Sequence, residues 1–484
     1  MKIKTIVVTS AIFLFLCSSL RHISFHSTAY DLGIFDQAVY LISRGEPPIS
    51  TLLGFHILGD HAALIWYPIS LLYKIYPSVY WLFAIQAIAL SLGAYYVYRI
   101  SLNEGLKENQ SSLMAMVYLL YPTVISINFF DFHPDTIALP CYFWLILIAR
   151  QSNPTNKRSS LIKFLIGIAV ILICKAALSL TIIAMGIWLI LFQKKRIYGT
   201  IAISLAMGWF IIATQLIIPY YGSNNALISR HLIHYGYLGN SFAQIITNIF
   251  LNPQIIITQV FSWQILFYLF TLVLSIIWGL SFKHLSPILC TVPQLLIIIL
   301  SSSKAFNTVG YQYTLPIVPF LILVVITNIK YQDNWLKNKR IVAVLIAIGF
   351  LISFRPHIDI GSNVGRDFSS LTYSLQASQK AVAKVHELDS LRQDSTKGSV
   401  LTTAKIIPHL SHRSLIKLAY ESIPKDETGK LDYGGFDYIL LNVRYPILTS
   451  TREFAQSLAQ QIRTDSRYQL AFQESDVYLF VKNG

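Results

Sequence analysis

Apolar runs of about 13 to 24 residues recur from residue 3 to residue 354, separated by more polar stretches of varied length. They lie near 3–20, 79–98, 112–127, 137–149, 161–174, 176–192, 197–219, 258–281, 285–301, 312–329 and 341–354. Each is long enough to span or nearly span a bilayer, so the pattern predicts about eleven membrane helices. A further run at 62–76 is interrupted by Pro68 and Lys74 and reads as an interfacial or re-entrant helix. Lys2 and Lys4 give the first run a charged start, as in a secretory leader. Cys17-Ser18-Ser19-Leu20-Arg21-His22 is a poor cleavage site, which favours an uncleaved first helix.

The pattern changes after residue 354. Residues 367–391 and 453–462 read as helices, and 399–403 and 436–442 as buried strands. Residues 468–472 and 476–481 alternate as a hairpin around Glu474-Ser475. The chain therefore reads as an α-helical polytopic membrane domain over 1–354 and a small α/β domain over 355–484.

Composition agrees: 54% of the 484 residues are hydrophobic and 13% are charged, against about 25% charged in a soluble domain. The net charge of +15 would suit nucleic acid, but its placement tracks topology instead. With the N-terminus inside, Arg99, Lys107, Arg150, Lys157, Arg158, Lys163, Lys194, Lys195, Arg196, Lys283, Lys330, Lys337, Lys339 and Arg340 all fall in inner loops. Such a bias marks the cytoplasmic face of a membrane, where basic clusters meet anionic lipid. An odd number of spans then leaves 355–484 outside. The reading is a multi-pass protein of a bacterial plasma membrane with a cytoplasmic N-terminus and an extracytoplasmic C-terminal domain. Cys17, Cys141, Cys174 and Cys290 lie in apolar runs without zinc or disulfide spacing.

Candidate chemistry concentrates in three outer loops, 21–78, 128–136 and 220–257. In the first, Asp31 and Asp36 lie five residues apart, about 140° on a helix, so they would not share a face. Asp31 is either the N-cap of a helix over 32–42 or a functional carboxylate. Asp36 is either a solvated helix position or the second such group. Gly33 between them allows close approach of another backbone or a ligand. Asp60 reads as a cap for the helix at 62–76 or as a polar rim group beside His61. In the second loop, Asp131, His133 and Asp135 cluster within five residues. This is compatible with a divalent cation, the one cofactor left open, or simply with a helix starting at Pro134-Asp135. Lys175 lies between two apolar runs, where it either snorkels or meets an anionic head group. Arg230 in the third loop is another outer cation able to grip phosphate. Trp66, Tyr67, Tyr220, Tyr221 and Tyr237 form an interfacial aromatic belt or stack on a ligand. His409 and His412, near Arg413, read as ordinary surface residues. The chain lacks a P-loop, a dinucleotide fingerprint, GxSxG and HExxH.

The string Tyr30-Asp31-Leu32-Gly33-Ile34-Phe35-Asp36-Gln37-Ala38-Val39-Tyr40 resembles the signature of the DUF2079 predicted membrane proteins. His61 with its following helix, Phe132-His133-Pro134-Asp135, Tyr237-Leu238-Gly239 and Tyr311-Gln312-Tyr313 match in order. The resemblance covers roughly residues 20–480. In architecture that family is similar to the GT-C glycosyltransferases, which take a sugar from a polyprenyl phosphate. The resemblance implies Asp31 or Asp36 as the acid that serves as base or orients the acceptor, with Asp31 preferred because it lies nearer the first span. His61, Asp131, His133, Asp135 and Tyr237, in or beside the matching segments, are candidate substrate contacts, and Lys175 or Arg230 is a cation able to stabilise the departing polyprenyl phosphate. The expected partners are a polyprenyl-phosphate-linked sugar and membrane lipid, and no nucleic acid. The family pattern carries an acid directly after the lysine, where this chain has Ala176 and Ala177. A transporter, flippase or assembly protein for lipid-linked glycans is the competing reading. Concentration of acids at one surface, rather than at the bilayer midplane, favours the transferase.

Overall fold

The computed structural model describes residues 2–151, 157–222, 232–332, 338–359, 368–393, 396–420, 423, 431–447 and 450–483. The chain divides into two compact units. One comprises 1–18, 58–65 and 82–359; the other comprises 19–57, 66–81 and 360–484.

The first unit is helical. Among the described residues, Ile3–Ile23, Tyr80–Asn103, Arg196–Gly222 and Gln312–Lys330 are long and apolar enough to cross a membrane. Two bent pairs, Glu108–Leu119 with Pro122–Asn128 and Pro253–Val260 with Trp263–Leu274, raise the count to six if each is one span. Leu178–Leu191, Ser286–Ile299 and Arg340–Ile352 are apolar but shorter. The breaks have local causes. Pro122 starts a new helix at its first turn, and the Ser262 hydroxyl accepts from the Ile265 amide to start another. Helices Leu178–Leu191 and Arg196–Ile212 approach backbone to backbone at Gly186 and Gly199. A Cβ at Gly199 would lie 2.6 Å from the Gly186 carbonyl oxygen, and one at Gly186 would lie 2.8 Å from that of Gly199, so neither position has room for a larger residue.

Three helix ends that the charge map assigns to one membrane face meet in this unit. Arg150 Nε lies 3.3 Å, and Lys330 Nζ 3.0 Å, from the carboxylate of Glu104. The two cations also sit at helix C-termini, where the helix dipole favours positive charge.

The second unit is built on a five-stranded sheet in the order Ile416–Leu418, Val400–Thr402, Tyr438–Asn442, Val477–Lys482, Tyr468–Glu474. The first three strands are parallel; the last two pair antiparallel. Alternation along the strands feeds two cores. Val400, Tyr438 and Leu440 pack with Ala377 and Ala381 of helix Phe368–Ser390. Leu401, Ile439 and Leu441 pack with Leu458 and Ile462 of helix Arg452–Arg463. The sequence-predicted strands and helices of this region are present. The short strand Ile416–Leu418 and helix Ile407–Leu410 are additional. Phe25 and Ala29 belong to the first of these cores. Part of the first polar loop is thus built into the same unit as the C-terminal sheet, which the hydropathy pattern does not foretell.

Candidate functional site

Within the second unit, the string 30–40 bends before it becomes helical. Tyr30 is extended, and Asp31 has φ 73° and ψ −89°, a conformation that L-residues rarely adopt. Helix Ile34–Arg44 starts only after Gly33. Asp31 is therefore not the N-cap of this helix. Holding it there costs roughly 1–3 kcal/mol, a strain that surrounding structure must impose. Part of that structure is visible at Gly33, where a Cβ would lie 2.8 Å from Ile407 Cγ2.

Asp36 is not a solvated helix position. It is 1% exposed, and its carboxylate collects three donors from distant segments. Tyr73 Oη donates to Oδ1 at 2.5 Å, His412 Nε2 lies 3.0 Å from Oδ1, and Ser411 Oγ donates to Oδ2. Burial pushes the Asp36 carboxyl up. The charge of His412 and the hydrogen bonds from His412, Ser411 and Tyr73 outweigh it, so the net direction is down. The neighbouring Gln37 is also fully engaged. Its Oε1 accepts from the Thr51 amide at 3.0 Å and from Ser50, and its Nε2 donates to Thr51 Oγ1 and to the carbonyl of Arg413.

His412 and His409 are not ordinary surface residues. Tyr40 stacks on His412 with centroids 4.8 Å apart and planes within 4°. His409 is buried between Phe25 and His22, with ring centroids at 3.8 and 4.1 Å. Burial, with the His22 and His386 charges, pushes the His409 imidazole well below its usual range. Arg413 is also buried, its guanidinium meeting Asp389 at 3.2 Å and donating to the carbonyls of Leu410 and Gly398. The signal available in sequence is the dense polar run Ser411-His412-Arg413 shortly after Ile406-Ile407-Pro408.

Within the first unit, Lys175, Asp135 and His61 meet at the unwound turn 175–177, between helices Lys157–Cys174 and Leu178–Leu191. Lys175 Nζ lies 3.6 Å from Asp135 Oδ2 and 5.5 Å from the centre of the Tyr313 ring. Asp135 occupies the first turn of helix Asp135–Arg150. The Ala176 amide donates to the carbonyl of His61 at 3.0 Å, and the Ile65 amide to that of Ile173 at 3.0 Å. These bonds clamp segment 58–65 onto the turn. Asp60 does not cap the following helix, which begins at Trp66 after Ala62 at φ 52°. Its carboxylate lies 3.6 Å from His61 Nε2. Asp131 and His133 lie just before the helix that carries Asp135. His133 Nδ1 pairs with the Asp131 carbonyl at 2.9 Å, and its ring stacks on Phe130. Among the described residues, no three His, Cys, Asp or Glu side chains group as metal ligands would. Ala176 packs with Ala62, Ala213 and Ile218.

Tyr237 has a separate attachment, its hydroxyl donating to the Leu300 carbonyl at 2.8 Å. Arg230 lies outside the described residues.

Apolar helices with a buried cation–carboxylate pair at a helix break, together with a small C-terminal sheet region, define a mostly helical protein with several candidate membrane spans. The crystal structure of ArnT from Cupriavidus metallidurans bound to undecaprenyl phosphate is similar to it at TM-score 0.55 and 10% identity, covering 98% of this chain and 97% of that one. The apo structure of the same protein is similar at TM-score 0.53 and 9% identity, with 98% of each chain covered. No curated protein matches the chain in sequence. The chain belongs to the DUF2079 family of predicted membrane proteins, whose model matches residues 21–479.

Proposed function

We propose that this protein is a membrane glycosyltransferase that moves a sugar from a polyprenyl-phosphate carrier to an acceptor on the extracytoplasmic face. The observation that carries the reading is Lys175: a buried cation between apolar helices, in a fold shared with a protein crystallised on undecaprenyl phosphate. An intramembrane cation is costly unless it serves a ligand or pathway. Here it is suited to the phosphate of a lipid carrier. Asp135 balances its charge when no phosphate is present, and Tyr313 offers a ring face beside it. His61, Asp131, His133 and Tyr237 remain contacts for substrate in this reading. About eleven spans, an inner N-terminus and an outer C-terminal domain complete it.

The reaction requires the acceptor hydroxyl to lose its proton as the glycosidic bond forms, while the carrier phosphate departs without needing an acid. Asp31 and Asp36 are the acids proposed to act on the acceptor, as base or by orienting it. Their environments divide the work. Asp36 has its oxygens occupied by three donors, whereas Asp31 is partly exposed and held in strained backbone.

The test is lipid analysis of source-cell membranes with and without the chain. A transferase predicts that its polyprenyl-phosphate sugar accumulates when the chain is deleted and is consumed when wild type is restored. Unchanged levels of every such lipid would refute the reading. A flippase would instead leave the donor trapped on the inner leaflet.

A further inference from the structure

We propose that His412, oriented by Asp36, is the proton acceptor for the acceptor hydroxyl; this rests on the sugar-transfer reading above. Hydrogen-bond valence supports it. An ionised carboxylate only accepts hydrogen bonds. Asp36 must therefore receive protons from all of its partners: the Tyr73 hydroxyl, the Ser411 hydroxyl and His412 Nε2. That fixes the neutral His412 ring as the Nε2–H tautomer and leaves its lone pair on Nδ1. Nδ1 has no hydrogen-bond partner among the described residues, and the His412 side chain is 19% exposed. The stack on Tyr40 and the edge of Tyr73, 5.7 Å away, fix the plane of the ring. A base with its lone pair outward and its opposite nitrogen on a buried carboxylate is the base–orienter half of a nucleophile-activating triad. Asp36, saturated and buried, is the positioning residue, and Asp31 is left to orient the acceptor.

The step balances. The acceptor O–H bond breaks and its proton moves to His412 Nδ1. The oxygen forms the bond to the anomeric carbon, and the bond from that carbon to the carrier phosphate breaks, its electron pair leaving with the phosphate. Charged and titratable groups around the ring are Asp36, Tyr40 and Tyr73, with Lys397 5.4 Å from the Tyr40 ring and His22 and Arg413 further out. A pH profile therefore needs the His412 variants as its control.

The experiment measures donor-lipid consumption in source-cell membranes carrying full-length wild type, D31N, H412Q or H412A. Removing a general base should slow consumption by about 10²–10⁴-fold. H412Q should do so and remain in the membrane at the wild-type level. Added imidazole should restore part of the H412A rate, which repair of a merely structural defect would not do. If wild type consumes donor and H412Q matches it at every pH, the His412 assignment is overturned and the transferase reading stands. His412 is likewise not the base if H412A is slow and imidazole restores nothing. If wild type consumes no donor, the transferase reading fails and the His412 role falls with it.

Discussion

Replacing Asp36 should unfasten the second unit in graded steps, because the carboxylate joins helix Ile34–Arg44 to Tyr73 and to Ser411-His412. A hydrogen bond to a charged group contributes about 1.5–3 kcal/mol net. The three here are not additive, since Tyr73 and His412 share Oδ1. Removing one side of a buried, charged network costs roughly 3–5 kcal/mol, because the remaining donors stay buried without acceptors. D36A should therefore lose about 3–5 kcal/mol. D36N keeps one oxygen for Tyr73 and His412, and the Ser411 hydroxyl can turn to accept from the new amide. Its loss should be about 1–3 kcal/mol, near the cost of one unsatisfied donor. Y73F leaves the carboxylate two donors and should cost about 1–2 kcal/mol. Hydrogen exchange of the 34–44 amides in detergent-purified protein reads the local effect. Thermal unfolding of the same samples should rank wild type above Y73F and D36N, and D36A last. A D36N/H412Q cycle should show coupling of about 0.5–3 kcal/mol, as contacting residues do. Wild-type exchange rates in D36A, or zero coupling, would refute the view that Asp36 is an integrating anchor.

Lowering pH should destabilise the second unit. His26 is held down to about 4 by burial and by the Lys405 and Arg21 charges, and His386 and His409 are lowered as well, first by burial. A base with a depressed folded pKa contributes stability that is present above its unfolded value, near 6.5, and lost as pH falls below it. Unfolding should thus be easier at pH 5 than at 7.5, with a further loss in stronger acid as the lowered Asp36 carboxyl protonates; equal stability at both would count against buried neutral imidazoles. G33A should cost about 1–3 kcal/mol by overpacking, because the new methyl meets Ile407; adding I407A should recover much of it, and failure to do so would place the strain elsewhere. G186V and G199V should each reduce membrane yield, since both force helices Leu178–Leu191 and Arg196–Ile212 apart; normal yield of either would contradict that contact.

What the sequence shows and conceals follows from range. The helices at 367–391 and 453–462, the buried strands near 400 and 440 and the hairpin near 475 are local patterns, and they are present; of the eleven apolar runs read as spans, four to six candidate spans are found among the described residues. Lys175, Asp135 and His61 are each visible as polar residues at the edges of apolar runs, although their meeting at one turn is not. Asp36 reads as solvated because the residues that bury it are remote: Ser411 and His412 lie 375 and 376 positions away. No periodicity within 34–44 records such partners. The burial of His409 and Arg413 is hidden for the same reason. Asp31 reads equally as a cap and as a functional acid. Its positive φ removes the cap, and that conformation leaves no mark in residue identity.

Lipid binding to Lys175 variants is the most direct measurement of the proposed role in holding a carrier phosphate. Native mass spectrometry of the purified protein with added undecaprenyl phosphate should show a bound lipid on wild type. K175M should weaken binding by roughly tenfold to a hundredfold, the worth of one charge-assisted hydrogen bond. D135N should strengthen it, because it removes the carboxylate that competes for Lys175. Undecaprenyl phosphate bound equally by wild type, K175M and D135N, or not bound at all, would contradict that role.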